Sequence, residues 1–256
     1  MIVVNNIRKS FDDIEVLRGF SLEFQKGNVN LIIGQSGSGK TVFLKNLIGL
    51  FSPTSGEILY EGENMAEYGY NERQRLRSEI GVVFQGSALF DTMNILENVK
   101  FPLEMFSNMS SSEIDKRARE VLDRVEIART ALKKFPSEIS GGMQKRVAIA
   151  RAIVNKPKYL FADEPNSGLD PKTALVIDQL IYDITKELNT TTIINTHDMN
   201  SVMEIGDHIV FLKNGYLEWE GNKDEILVAD NPAVIDFVYS SNLFKKLREA
   251  LLKEKK

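Results

Sequence analysis

Apolar and polar residues alternate along residues 2–7 and again along 16–24, with Asp12 and Asp13 between the two runs. A period of two marks half-buried strands, so the chain opens as an antiparallel pair. Val29, Leu31, Ile32 and Ile33 then form a buried-strand run, and Val42, Phe43, Leu44, Leu47 and Ile48 recur at helical spacing behind it. A turn cluster at Ser52, Pro53, Thr54, Ser55 and Gly56 precedes a strand through Ile58, Leu59 and Tyr60. Residues 72–79 are charged and read as a short surface helix, followed by a compact strand through Gly81, Val82, Val83 and Phe84 that ends at Gln85.

From about residue 87 to 155 the period becomes helical. Ile114, Ala118, Val121, Leu122 and Val125 share one helical face behind a capping box, Ser110 with Glu113. A further helix over 147–154 is entered through Ser140, Gly141 and Gly142. The strand signal returns at 159–162 and 191–195, with a proline-started helix over 171–188 between them. Asn214-Gly215 joins two alternating runs, 208–213 and 216–219, as a hairpin. Near the end, Leu243, Phe244, Leu247, Ala250 and Leu251 share one face of an amphipathic, basic helix over 243–255. That helix reads as docked on its own domain, as a partner-binding tail or as a membrane-surface segment, with partner docking placed first because its apolar face is short.

These elements alternate as an α/β chain with a helical insertion, and 43% apolar residues are enough for a sizeable core. Thirty-two basic against thirty-six acidic residues leave a net charge of −4, which argues against nucleic acid as the main partner. Without cysteine there is neither a disulfide framework nor a thiolate metal site. The first residues lack the pattern of a signal peptide and no run of eighteen apolar residues occurs, so the expectation is a cytoplasmic protein, free or attached to a membrane through a partner.

The chemistry starts between the strand at 29–33 and the helix behind it, at Gly34-Gln35-Ser36-Gly37-Ser38-Gly39-Lys40-Thr41. Its glycines let backbone N–H groups turn toward phosphate oxygens, and the new helix turns its free N–H groups on the same anion. Lys40 is positioned to reach the β and γ phosphates and the Thr41 hydroxyl to hold Mg2+. A G-x-x-x-x-G-K-[ST] match arises by chance in roughly one chain in a hundred of this length, so an ordinary glycine turn is a poor explanation.

Ligands of an open α/β sheet sit at the carboxyl ends of its strands, and several strands here end in polar residues. They are the glycine loop after Ile33, Gln85 after Phe84, Asp163 and Glu164 after Ala162, and Thr196 and His197 after Asn195. Asp163 fits the acid that shares Mg2+ with Thr41, and Glu164 a base that polarises an attacking water. Gln85 and His197 fit groups that orient the water and sense the γ phosphate. The other histidine, His208, lies inside a strand pattern and is given no role.

Taken together these residues resemble the ATP-binding-cassette (ABC) ATPases over nearly the whole chain up to about residue 230. The matching parts are the Walker A loop at 34–41, the Q-loop glutamine Gln85, the signature Ser140-Gly141-Gly142-Met143-Gln144 and the Walker B run 159–164. The D-loop Ser167-Gly168-Leu169-Asp170 and the switch His197 follow, and Phe11, alone a packing residue, falls where the family stacks adenine. The resemblance implies an α/β fold, a P-loop (RecA-like) nucleotide-binding domain with an antiparallel β subdomain and an inserted helical subdomain over about 87–156. A C-terminal extension from 231 to 256 follows.

It also implies an ATPase using ATP and Mg2+. Catalysis falls to Glu164, His197, Gln85 and Lys40, metal binding to Thr41, Gln85 and Asp163, and nucleotide contact to Phe11, the loop from Gly34 through Gln35, Ser36, Gly37, Ser38, Gly39 and Lys40 to Thr41, and Thr196. Ser140, Gly141, Gly142 and Asp170 complete a second copy's site, which makes the unit a head-to-tail homodimer. Met143 departs from the most common signature, and Asn166 from the usual threonine.

About a hundred residues separate Lys40 from Ser140, too few for the coiled coil of a repair ATPase, and one cassette argues against a translation factor. A transporter subunit serving a separate integral-membrane permease is left, on the cytoplasmic face of the inner membrane. Residues 88–93 (Ala-Leu-Phe-Asp-Thr-Met), 97–103 (Glu-Asn-Val-Lys-Phe-Pro-Leu) and 231–238 are similar to the ATPases of Mla/Mce-type lipid transporters. That likeness implies phospholipid cargo and an Mce-type lipid-binding partner. A mechanical switch that moves no substrate, or a different cargo, would share the same cassette.

Overall fold

The computed structural model describes residues 1–239; the basic helix expected over 243–255 lies outside the described residues. The chain forms two compact units, one of Gln25–Asn28 and Glu67–Ile194, the other of Ile2–Phe24, Val29–Ala66 and the chain from Asn195 on.

The second of these units holds an antiparallel sheet. Strands β1 (Ile2–Phe11) and β2 (Ile14–Phe24) form the expected hairpin, and β4 (Ser55–Tyr60) pairs with β1 on its other side, followed by β5 (Glu63–Asn64). Both strands of the hairpin run further than their alternation predicted, and Phe11 ends β1 instead of sitting in the turn. The reason is a bulge. Ile2, Val4 and Ile7 are all fully buried, a spacing that strict alternation forbids, and the register shifts between Val4 and Ile7, where Asn6 takes a left-handed φ of 46°.

The same unit holds β3 (Val29–Ile33), buried at every position and paired in parallel with β9 (His208–Lys213). β9 returns through Asn214 and Gly215, both at positive φ (51° and 82°), into antiparallel β10 (Tyr216–Gly221), as the hairpin signal required. Helix α1 (Lys40–Leu47) follows the glycine loop and packs Phe43 edge-on against Phe20 of β2, ring centres 5.0 Å apart.

In the other unit β6 (Ile80–Val83), after α2 (Tyr70–Glu79), pairs in parallel with β7 (Tyr159–Asp163), and the buried start of β8 (Thr191–Thr196) lies on the far side of β7. Between β6 and β7 the chain builds α3 (Ile95–Phe106), α4 (Ser111–Arg124) and α5 (Gly141–Ile153), which pack on one another. Capping boxes start the first two: Asn94 with Glu97, and the expected Ser110 with Glu113. Helix α5 begins six residues earlier than apolar spacing indicated, because Ser140 caps it by accepting from the Met143 N–H at 3.3 Å. The glycine pair, poor helix formers elsewhere, sits in the first turn.

Helix α6 (Pro171–Leu188) has the predicted bounds: Asp170 caps it, Pro171 opens it and Asn189 ends it in the left-handed region. The short helices α7 (Met199–Ile205), α8 (Lys223–Ile226) and α9 (Pro232–Val238) follow within the described residues, and Phe237 of α9 packs 5.1 Å from the Phe211 ring of β9.

Candidate functional site

The residues expected to act on a nucleotide are divided between the two units. The glycine loop belongs to the unit of β3 and α1. Gly34, Gly37 and Gly39 all have positive φ, 151°, 80° and 104°, so the turn needs residues without a Cβ. A Cβ on Gly34 would lie 2.2 Å from the Leu212 carbonyl and 2.7 Å from Ser38 Oγ, whereas one on Gly37 would meet nothing within 4 Å. The loop is therefore tight on its protein side and open where an anion approaches.

Its backbone is braced from outside: the Gly215 N–H donates to the Ser38 carbonyl at 3.1 Å, and a Cβ on Gly39 would press on Leu17 at 3.0 Å. Gln35, Ser36 and Gly37 are exposed, while Ser38, Gly39 and Lys40 are buried. Lys40 curls its ammonium back into the loop, donating to the Gly34 carbonyl at 2.7 Å and the Gln35 carbonyl at 3.1 Å. Ser38 Oγ is buried with no hydrogen-bond partner. A buried ammonium curled onto the carbonyls of a glycine loop that starts a helix, beside an orphaned hydroxyl, fits a polyphosphate.

Thr41, the residue expected to hold Mg2+, follows on the exposed side of α1. No group of three or more His, Cys, Asp or Glu side chains able to hold a metal occurs among the described residues. Mg2+ held by one or two protein oxygens plus phosphates and water requires none.

In the same unit Phe11 is 38% exposed, meets Phe51 edge-on at 5.2 Å and carries the Lys9 ammonium 4.8 Å from its ring centre. Such an anchored, partly bare aromatic ring can stack on a base. Thr196 is buried and accepts from the Asp198 N–H at 3.0 Å, which leaves His197 exposed at the end of β8. His208 has its ring nitrogens on Asn30 Oδ1 at 3.0 Å and Glu220 Oε1 at 2.8 Å, contacts that tie β9 to β3 and β10.

The other unit brings Gln85, Glu164 and Ser167 together. Gln85 Nε2 donates to Glu164 Oε2 at 3.1 Å and to Ser167 Oγ at 3.3 Å. Asp163 ends β7, and Glu164 directly after it takes φ 46°, the left-handed region that a non-glycine residue enters only when its surroundings hold it there. Ser140, Gly141 and Gly142 stand at the N-terminal end of α5, with Ser140 and Gly141 exposed. Asp170 accepts from the Thr173 N–H at 3.0 Å and from its hydroxyl at 2.6 Å, and these bonds hold its carboxyl below the usual range.

Two features escaped the sequence reading. Lys145, buried on α5, donates from Nζ to the Gln85 carbonyl; burial pulls its pKa down while the Glu164 carboxylate opposes the shift. It stands in line with Ala148, Ile149 and Ala152, so a lysine in the apolar stripe of a helix was the available signal. Asn166, which departs from the usual threonine, donates to both oxygens of the buried Asp178 at 3.2 and 3.1 Å, so that the D-loop is tied to α6.

The family model described as ABC transporter matches residues 17–167, more than half of the chain. The chain belongs to the ABC transporter ATPase family. It is similar to a probable ribonucleotide transport ATP-binding protein, mkl, of Mycobacterium leprae, 39% identical over 237 residues that cover 93% of this chain and 68% of the relative. It is also similar to the methionine import ATP-binding protein MetN of Carboxydothermus hydrogenoformans, 36% identical over 98% of this chain and 75% of that one.

Among solved structures, the dimeric bacterial ABC transporter cassette MJ0796 superposes with a TM-score of 0.80 at 35% identity, covering 87% of this chain and 98% of that one. A post-hydrolysis form of the same cassette holds ADP and phosphate. CbiO1 of Clostridium perfringens, part of the ABC transporter complex cbiONQ, gives 0.82 at 31% identity over 98% of both chains. The cassette fold expected from the motifs is thus the observed one, and as an ABC ATPase the chain uses ATP with Mg2+. The two relatives are named for probable ribonucleotide transport and for methionine import, and neither is named for lipid.

Proposed function

We propose that this chain is the ATP-hydrolysing subunit of a transporter whose membrane-spanning permease is a separate chain, working as a head-to-tail pair on the cytoplasmic face of the membrane. No helix among the described residues is long and apolar enough to cross a membrane. Pairing is supported by the dimeric MJ0796 cassette and by the exposed Ser140-Gly141 end of α5, a helix N-terminus open to a second copy's γ phosphate.

Within that pair each residue has a task. Lys40 and the amides of Gly34 to Thr41 would hold the phosphates, Thr41, Asp163 and Gln85 are the residues that would hold Mg2+, and Phe11 would stack on adenine. Glu164 takes the proton of the attacking water, while His197, beside Thr196, orients toward the γ phosphate and Asp170 toward the partner. ATP with Mg2+ supplies the transferable phosphoryl group, and a loose transition state asks these side chains for position and charge compensation. Residues 1–230 are the cassette, with the insertion over about 87–156 as its side toward the permease, and 231–256 are an extension beyond it.

The observation that carries the reading is a groove of about 480 Å³ lined by Phe84, Ala88, Phe90, Phe101, Pro102 and Arg151. It is apolar, opens beside the Gln85 segment and exposes 40% of Phe90, as a seat for a permease segment must. Ala88, Phe90, Phe101 and Pro102 come from the stretch that resembles lipid-transporter ATPases, which supports phospholipid cargo and an Mce-type lipid-binding partner. Methionine or ribonucleotide cargo has the support of the relatives' names.

Purification of the full chain from detergent extracts tests both levels. A multi-helix permease with a lipid-binding partner, and ATP hydrolysis stimulated by phospholipid in reconstituted bilayers, are the expected results. A partner that binds amino acid or nucleotide would replace the lipid reading. Recovery with only a non-permease membrane protein would replace transport by mechanical switching.

A further inference from the structure

Helix α5 carries three cations that the site roles above leave unused; Arg146 bonds to Val125 and Glu126, whereas Lys145 and Arg151 both reach the chain after β6. Lys145 is 5% exposed, and its ammonium donates to the Gln85 carbonyl. Arg151 donates from Nη2 to the Ser87 carbonyl at 2.9 Å and from Nη1 to the Ala88 carbonyl at 2.8 Å. Both point into the backbone of one short segment, 85–88, which follows β6.

That segment has an unusual backbone. Ser87 and Ala88 sit at φ 61° and 48°, left-handed conformations that alanine and serine rarely adopt and that persist only where neighbours hold them. Ser87 is 3% exposed, so its carbonyl has no free access to water and the guanidinium is the partner that satisfies it. Burial lowers the pKa of both cations, a cost that charge-assisted bonds to carbonyls offset.

The two ends of this arrangement differ. At one end Gln85 is held twice, by its carbonyl on Lys145 and by its amide on Glu164. At the other end Arg151 lies 5.6 Å from the ring centre of Phe90, which packs 4.8 Å from Phe101, and all three line the apolar groove. The N-terminus of the same helix is Ser140 with Gly141 and Gly142.

We propose that Lys145 and Arg151 are positioning residues that fasten segment 85–88 to α5, so that a displacement at the groove reaches Gln85 and the Ser140 end of α5 as one rigid movement. The inference rests on the role given to Gln85 above and deepens it. Without the two cations, segment 85–88 relaxes out of its left-handed turn and the Gln85 amide loses its alignment with Glu164.

A double-mutant cycle on the full chain in its co-purified complex tests it. Lys145→Met is expected to lower kcat about ten-fold with KM for ATP within about two-fold, and Lys145→Arg to recover at least about half of the wild-type rate. Gln85→Ala combined with Lys145→Met should be no slower than Gln85→Ala alone, because both remove the same alignment. Losses that multiply, or an arginine no better than methionine, would overturn the proposal, since a merely structural lysine slows the enzyme independently of Gln85.

Gln85→Ala at the wild-type rate would instead remove the role of Gln85 itself, a different failure visible in that single variant. Should Lys145→Met fail to fold by thermal melting, Arg151→Lys takes its place in the same cycle. It keeps the charge and loses one of the two carbonyl bonds, and the same non-additivity with Gln85→Ala is required.

Discussion

The side-chain amide of Gln85 donates to the Glu164 carboxylate at 3.1 Å, joining the second residue after β6 to the first residue after β7 across 79 positions of chain. The parallel pairing of these strands aligns Val83 with Ala162 and so brings both strand ends to one place. An amide donor on one carboxylate oxygen fixes its orientation, as a general base needs.

Glu164→Gln keeps the shape and an acceptor for the Gln85 amide but cannot take a proton. Phosphate release should fall at least about hundred-fold, within the range general-base catalysis supplies. ATP-dependent dimer on a sizing column should increase. Turnover within a few-fold of wild type would remove Glu164 from the role of base.

The glycines of the loop should separate by space. Gly34→Ala sets a Cβ 2.2 Å from the Leu212 carbonyl and should abolish nucleotide binding, with loss of soluble protein. Gly37→Ala meets nothing within 4 Å, and its φ of 80° makes the cost about 1–2 kcal/mol of backbone strain. Calorimetric titration with ATP should therefore find binding by the second variant and none by the first.

Asn98 is fully buried and ties down the loop ahead of α3, donating to the carbonyls of Phe90 (3.1 Å), Met93 (2.9 Å) and Asn94 (3.0 Å) and accepting from the Phe90 N–H at 2.8 Å. Asn98→Leu strands these backbone groups, at about 1–3 kcal/mol for each that finds no water. Thermal unfolding should shift down by several degrees, and limited proteolysis should cut first within residues 88–94.

Asp170 supplies a pH dependence of defined sign. The Thr173 bonds depress its folded-state pKa, so its stabilising contribution is complete above the unfolded carboxyl value of about 3.9 and is lost as pH falls through the lower folded value. Asp170→Asn keeps an acceptor without the titration. Melting temperatures of the two proteins should separate above the unfolded carboxyl value, with the wild type higher, and draw together as pH falls through the lowered folded value.

Removing the Lys40 ammonium takes a donor from the buried Gly34 carbonyl and from the carbonyl of Gln35. Lys40→Ala should weaken ATP binding at least about ten-fold and lower the melting temperature even without nucleotide. Tight ATP binding by this variant would contradict the phosphate role of Lys40.

Much was legible in the chain because its signals are local. Helix α6 matched its predicted bounds, since Asp170, Pro171 and Asn189 act within a turn of where they stand. The Asn214-Gly215 hairpin and the glycine loop are set by backbone conformations that few residues adopt, so short stretches declare them. The order of motifs in turn identified the family before any contact was known.

What tertiary structure decided is where energy comes from residues distant in sequence. Helix α5 starts at Gly141 because a cap and packing outweigh the low helix propensity of two glycines, which a reading by period could not weigh. Burial of Val4 and Ile7 on one face needed a bulge that alternation hides. The direction of the Lys145 ammonium, the tie from Asn166 to Asp178 and the groove beside Phe90 depend on which helix face meets which strand end. Sequence determined the chemistry available to this protein, because loops and caps are short-range. Only packing decided which of those groups stand within hydrogen-bonding reach of one another, because side-chain direction is set by neighbours that the chain brings from afar.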